Sequence, residues 1–253
     1  MVRLRAKWLS AVVLSAGVAT AIVACTDENT TLFIRGNVQV TAPSCVARGD
    51  SNSVLLGIGT MDVAFTTEYT AALLVGSQLA PRGAKSRLVT ESMRLELHGA
   101  EVTLSDLEGK VIEPGFSVPG TGFVDPNSSD APGYGVMFAT LIPATVGSRL
   151  QSQLRAGGLG ASKTVIADVR VFGNTLGGLS IESGSFTYPI RVCYGCSVLF
   201  PLEALMADAD GKLACIASAQ SVPFDICALG QDSMIDCRLC VATHPDVCYS
   251  PPG

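Results

Sequence analysis

The chain has 253 residues, room for one large domain or two small ones around a sizeable core. Charged residues are sparse at 15% and glycine is frequent at 26, a mix that favours strands and tight turns over a charged helical protein. Three of the 17 Lys and Arg precede residue 25 and none of the 22 Asp and Glu does, so loss of residues 1–24 leaves a net charge of −8; such a surface repels phosphate backbones and argues against nucleic acid as a partner.

Residues 1–25 read as an export segment. Arg3, Arg5 and Lys7 form a positive n-region, residues 8–23 are apolar apart from Ser10, Ser15 and Thr20, and Ile22-Val23-Ala24-Cys25 closes the run. The closing tetrapeptide resembles a bacterial lipobox. The resemblance implies that residues 1–24 are removed as a signal peptide and that Cys25 is acylated on its thiol and its new amino group. It also implies that the lipid bilayer is a partner, held through Cys25. Residues 25–31 then form a polar, lipidated tether. The resemblance to Gram-negative lipoproteins further implies, from Thr26 after the cysteine rather than Asp, the outer membrane.

From residue 32 to 192 the apolar pattern has period two. Strands are predicted over 33–40, 54–59, 62–66, 69–79, 92–98, 134–142, 165–172 and 186–192. In the strand at 92–98, Met93, Leu95 and Leu97 face one way and Arg94, Glu96 and His98 the other. Pro189 cannot donate to a ladder, which places it on an edge or at a bulge. Turn chemistry separates the runs at 79–85, 106–110 and 125–133. Between Pro143 and Gly157-Gly158, Val146, Leu150 and Leu154 fall four apart, which predicts a short amphipathic helix crossing between sheets. The expected fold is therefore mainly β: an Ig-like β-sandwich over 32–192, with a short helix and a disulfide-rich, loop-rich C-terminal module over 193–253.

Besides Cys25 there are eight cysteines: Cys45 alone near the N-terminus, and Cys193, Cys196, Cys215, Cys227, Cys237, Cys240 and Cys248 in the last 61 residues. An exported chain meets an oxidising compartment, so this even set reads as a disulfide framework. Seven cannot pair among themselves, which sends Cys45 across to the tail; the full connectivity is not readable from spacing. The alternative is a metal site, with the two C-x-x-C knuckles Cys193/Cys196 and Cys237/Cys240 holding zinc. Their separation exceeds the usual ribbon spacing, and that scheme leaves three tail cysteines without a role. The stretch 186–196, with Gly230-Gln231-Asp232 and residues 237–240, is similar to poorly characterised Cys-rich bacterial envelope lipoproteins, a resemblance that carries no activity.

No motif points to catalysis. His98 and His244 are the two histidines, neither beside a recognisable partner, and both read as solvated. Asp208-Ala209-Asp210-Gly211 does not fit the calcium-loop register and reads as an acidic turn. Trp8 is the sole tryptophan, so the processed chain has none. The expectation is a non-enzymatic envelope lipoprotein without a cofactor, with a structural or binding role toward an envelope protein or surface ligand. The alternatives are an envelope metal-binding protein using the paired C-x-x-C knuckles, or a hydrolase whose site forms only in three dimensions.

Overall fold

The period-two alternation becomes two facing sheets in the structure, a computed structural model that describes residues 31–82, 91–127, 131–216, 222 and 225–251. Residues 1–30, with Cys25, lie outside the described residues. The body contains β1 (Leu32–Val38), β2 (Leu55–Leu56), β3 (Gly59–Asp62), β4 (Tyr69–Ser77), β5 (Leu95–Ser105), β6 (Val111–Val124) and β7 (Gly133–Ile142). These are followed by α1 (Ala144–Ala156), β8 (Ser162–Thr175), β9 (Ser180–Glu182) and β10 (Phe186–Cys193). One sheet has the order β2-β1-β4-β7; the other has β3-β10-β8-β5-β6, with β9 added to β8. All pairs in both are antiparallel except β3 with β10.

One core fills the sandwich. Alternate residues point into it: Ala71, Leu73 and Val75 from β4, Met137, Ala139 and Leu141 from β7, Val165, Ala167, Val169 and Val171 from β8. In β5 the inward set changes phase, from Leu95 and Leu97 to Ala100, Val102 and Leu104. A bulge between Leu97 and Gly99, present against both neighbouring strands, absorbs the one-residue slip. Gly99 suits it, because a Cβ there would press on the Val118 carbonyl oxygen.

Helix α1 crosses from β7 in one sheet to β8 in the other. It buries Val146, Gly147, Leu150 and Leu154 and ends at Gly157, followed by Gly158 in the left-handed region at φ +86°. Gly147 packs so closely on the Thr67 backbone that a Cβ would overlap its carbonyl oxygen.

Three strand expectations need correction. The run 62–66 is not a strand: β3 ends at Asp62, whose carboxylate and carbonyl accept from Ala64, Phe65 and Thr66 and turn the chain. The run 54–59 contributes only the two residues of β2 and the start of β3. The 14-residue β6 has no counterpart in the expected set, because Pro114, Gly115, Pro119, Gly120 and Gly122 interrupt its pattern. Pro189 lies in β10 just before the stretch paired with β3, which begins at Ile190; there β8 is its only strand neighbour.

The tail contains β11 (Val198–Leu199), a 3-10 turn over Leu202–Ala204, β12 (Leu205–Ala207), β13 (Leu213–Cys215), β14 (Ile235–Asp236) and two single-turn helices, α2 (Cys237–Cys240) and α3 (Pro245–Cys248). Its buried residues, among them Val198, Ile235 and Val247, join the core of the sandwich. The β5–β6 and β12–β13 hairpins use the same five-residue loop. In each, Asp106 or Asp208 accepts two backbone N–H bonds, and Gly109 or Gly211 takes a positive φ. The acidic turn at 208–211 is thus a hairpin tip.

Strand register fixes two ends. Leu32 pairs with Ser77 and Ser77 with Gly133; Leu95 pairs with Val124 and with Thr175. Asn127 donates to the Leu79 carbonyl, so these residues share the end at which the chain enters β1. Cys193, where the tail begins, pairs with Ser162 and Asp62 at the opposite end.

Candidate functional site

The tail is locked to the sandwich at a seam between the sheets. Strand β1 stops short along β4, so backbone groups of Thr70 and Ala72 lack a strand partner there. Side-chain amides take that place. Asn37 Oδ1 accepts from Ala72 N (2.8 Å), while Gln231 Oε1 accepts from Thr70 N (2.9 Å) and Gln231 Nε2 donates to Thr70 O (2.6 Å). The run Gly230–Asp232 lies along the free edge of β3, with Asp62 N donating to Gly230 O and Asp232 N to Thr60 O. A three-residue piece of the tail therefore closes one sheet edge with its backbone and the other with a side chain.

Under this seam lies a buried polar cluster. Asn37 Nδ2 donates to the hydroxyls of Tyr69 (3.1 Å) and Tyr188 (3.0 Å), and Tyr69 donates to Asp232 Oδ2 (2.8 Å). Asp232 Oδ1 accepts from Thr60 N at 2.7 Å. Asp232 takes φ +53°, a left-handed conformation that aspartate tolerates better than most side chains. Burial raises its carboxyl above the ordinary value, against the hydrogen bonds from Thr60, Tyr69 and Gln231. Burial, then the Asp232 charge, raises Tyr69, and burial raises Tyr188. Both hydroxyls therefore stay protonated at neutral pH and act as hydrogen-bonding groups, not bases.

A second polar knot lies two residues farther along β3. Asp62 is fully buried. Its carboxylate accepts from Ala64 N (3.0 Å), Gly195 N (2.8 Å), Ser197 N (2.9 Å) and Ser197 Oγ (2.7 Å). These bonds hold the loop that carries Cys193 and Cys196. The two sulfurs and an Asp62 oxygen lie within 4.8 Å of one another, but the sulfurs are bonded to each other and the carboxylate already has four donors.

The structure pairs Cys45 with Cys227, Cys193 with Cys196, Cys215 with Cys237 and Cys240 with Cys248. Cys45 thus crosses to the tail over 182 positions, with its Cα 5.4 Å from that of Cys227. The alternative zinc set is corrected: Cys193, Cys196, Cys237 and Cys240 are divided among three disulfides and do not form one ligand shell. His98 is exposed on β5 near Asn174, and His244 contacts Thr243 and the Phe65 ring.

Beside the seam is a cavity of about 340 Å³, bordered by the Cys45–Cys227 disulfide and lined by Val38, Thr66, Glu68, Thr70, Phe138, Gln231, Asp232 and Ser233 among others. Among the described residues its lining carries the carboxyls of Glu68 and Asp232 and no lysine, arginine or histidine. It suits a small neutral or cationic ligand resting against Phe138, and its electrostatics disfavour anions. Sequence reasoning missed this arrangement. Asn37, Tyr69, Tyr188 and Asp232 share no motif, and only Gly230-Gln231-Asp232 was singled out in the sequence.

No protein-family model matches the chain, and no curated protein matches it. The reading of the site therefore rests on its own geometry.

Proposed function

We propose that the protein is a lipid-anchored lipoprotein of the bacterial cell envelope, in the outer membrane, with a non-enzymatic binding or structural role. The observation that carries the reading is Ile22-Val23-Ala24-Cys25 at the end of a positively charged, apolar export segment. The four disulfides support it, since they join all eight remaining cysteines and belong to a chain matured in an oxidising compartment.

Anchoring at Cys25 would have a direction. Seven residues from Cys25 to Thr31 reach at most about 25 Å before β1 begins. The chain enters β1 at one end of the sandwich, and the tail departs from the other. An acyl chain on Cys25 would hold the first end near the bilayer and present the seam, its cavity and the disulfide module away from it. Rigid cross-linking there suits a surface that must keep its shape while binding a small ligand or an envelope protein.

Cys25→Ala tests the anchor. We expect the variant to leave the membrane fraction and remain folded; a variant that is processed yet still fractionates with membranes defeats the reading. Intact-mass measurement of the wild type with thiol alkylation is the companion test. It should show acylation at Cys25, no alkylated thiol before reduction and eight after it.

A further inference from the structure

We infer that the turn joining β8 to β9 is a membrane contact: Leu176 and Leu179 dip into the interface of the bilayer to which Cys25 is anchored. This rests on the proposed lipidation and adds an orientation to it. The first observation is position. Thr175 pairs with Leu95, Leu95 with Val124, and the chain from Val124 returns to Gly133, which pairs with Ser77, the partner of Leu32. The turn therefore projects from the end where the chain enters β1. The seven-residue tether of about 25 Å at full extension keeps that end close to the lipid.

The second observation is chemistry. Leu176-Gly177-Gly178-Leu179 carries no charge, and its leucines are 44% and 54% exposed. The turn is held rather than loose. Leu176 N donates to Arg94 O, Gly177 N to Ser92 O and Thr175 N to Leu179 O, while Thr175 Oγ1 accepts from Leu179 N. Order of this kind around two exposed leucines fits a preformed apolar tip, because little conformational entropy is lost when it enters lipid. The neighbours match an interface. Arg94 lies over the Phe123 ring at 4.9 Å and pairs with the exposed Asp125 at 3.2 Å, and half of Phe123 is exposed; an aromatic ring and an arginine with an apolar stem both favour the headgroup level, where a paired charge stays hydrated. The β5–β6 tip at the opposite end sharpens the contrast. It also exposes a leucine, Leu107 at 69%, but sets it among Asp106, Glu108 and Lys110, charges that resist burial in lipid.

The processed chain contains no tryptophan, so a single introduced one is a clean depth probe. Full-length protein carrying Leu179→Trp, Leu176→Trp or Leu107→Trp is purified from membranes and reconstituted into phosphatidylcholine vesicles with or without brominated acyl chains. We expect vesicle co-flotation for all three, and bromine quenching of at least twofold for Trp at 179 and 176 with none at 107. Co-flotation without quenching at 176 and 179 overturns the contact and leaves the lipid anchor standing. Equal quenching at all three positions overturns the orientation. Failure to float, or tryptophan emission from the wild type, shows that the export segment was not exchanged for lipid, and both readings fall.

Discussion

The sandwich and the C-terminal module solve the same problem with different materials. In the sandwich, alternate apolar residues from both sheets meet in one core, and strands such as β4 and β8 supply a nearly unbroken inward face. The module has strands of two or three residues and helices of a single turn, too short to bury a face of their own. It borrows the core of the sandwich through Ile235, Cys237 and Val247, and otherwise depends on disulfides and side-chain hydrogen bonds. Burial is spread over many residues and survives single losses. The module's attachment is concentrated in a few groups, and each should show a large individual effect.

The largest effect is expected from the long staple. Cys45–Cys227 closes a loop of 182 positions, for which the chain-entropy account gives about 5 kcal/mol as an upper figure. The double variant Cys45→Ser, Cys227→Ser should lose about 3–5 kcal/mol in urea unfolding. A loss below about 1 kcal/mol would mean that the seam alone holds the module. Next is Asp62→Ala, which strips two buried backbone N–H groups, a part-buried one and a buried hydroxyl of their acceptor. A loss of about 3 kcal/mol or more is expected. Asp62→Asn should recover part of it, because the remaining oxygen still accepts while the amide nitrogen cannot take the Ser197 bonds. If alanine and asparagine are equally mild, Asp62 does not organise the Cys193–Cys196 loop.

Smaller, but more specific to the seam, is Tyr69→Phe. It removes a donor from the half-buried Asp232 carboxylate and an acceptor from the buried Asn37, for about 1.5–3 kcal/mol. Tyr188→Phe, whose hydroxyl does not reach Asp232 directly, should cost about 1 kcal/mol. Equal losses in thermal or urea unfolding would contradict the cluster as described.

The same contrast explains what could be read in advance. A sheet with one buried face writes itself into the sequence as alternation, so β4, β7, β8, β10 and the helix with Val146, Leu150 and Leu154 were legible. Strand β6 was not, because it lies at a sheet edge, mostly exposed, and is free to carry two prolines and three glycines. Parity and compartment predicted that Cys45 must cross to the tail, but no spacing rule selects Cys227. The seam was silent for a different reason. Asn37, Tyr69 and Tyr188 occupy positions in ordinary strands, and Asp232 falls in a loop; only the folded register brings them within hydrogen-bond reach. Asp62 was misread as the start of a strand because its side chain, not its propensity, turns the chain.

The smallest expected effect separates two aspartates four positions apart by sign. Asp232 is raised by burial, so its folded form binds a proton more readily than the unfolded chain does. Its contribution is fully present below the unfolded value of about 4 and is lost as pH rises through the folded value. Asp236 is lowered, chiefly by hydrogen bonds from the Arg238 side chain, and it also caps α2 by accepting from Arg238 N. Its contribution is present above about 4 and is lost as pH falls through the folded value. Asparagine at either position abolishes the titration. Relative to wild type, Asp232→Asn should therefore fare best near pH 7 and progressively worse toward acid, while Asp236→Asn should fare worst near pH 7 and recover toward acid. Urea midpoints of the three proteins across pH 3–7 measure this directly. Two differences running in the same direction would show that Asp232 sits in a wetter setting than the Tyr69 bond and the closed seam imply, and the seam would then be open to solvent rather than sealed by the tail.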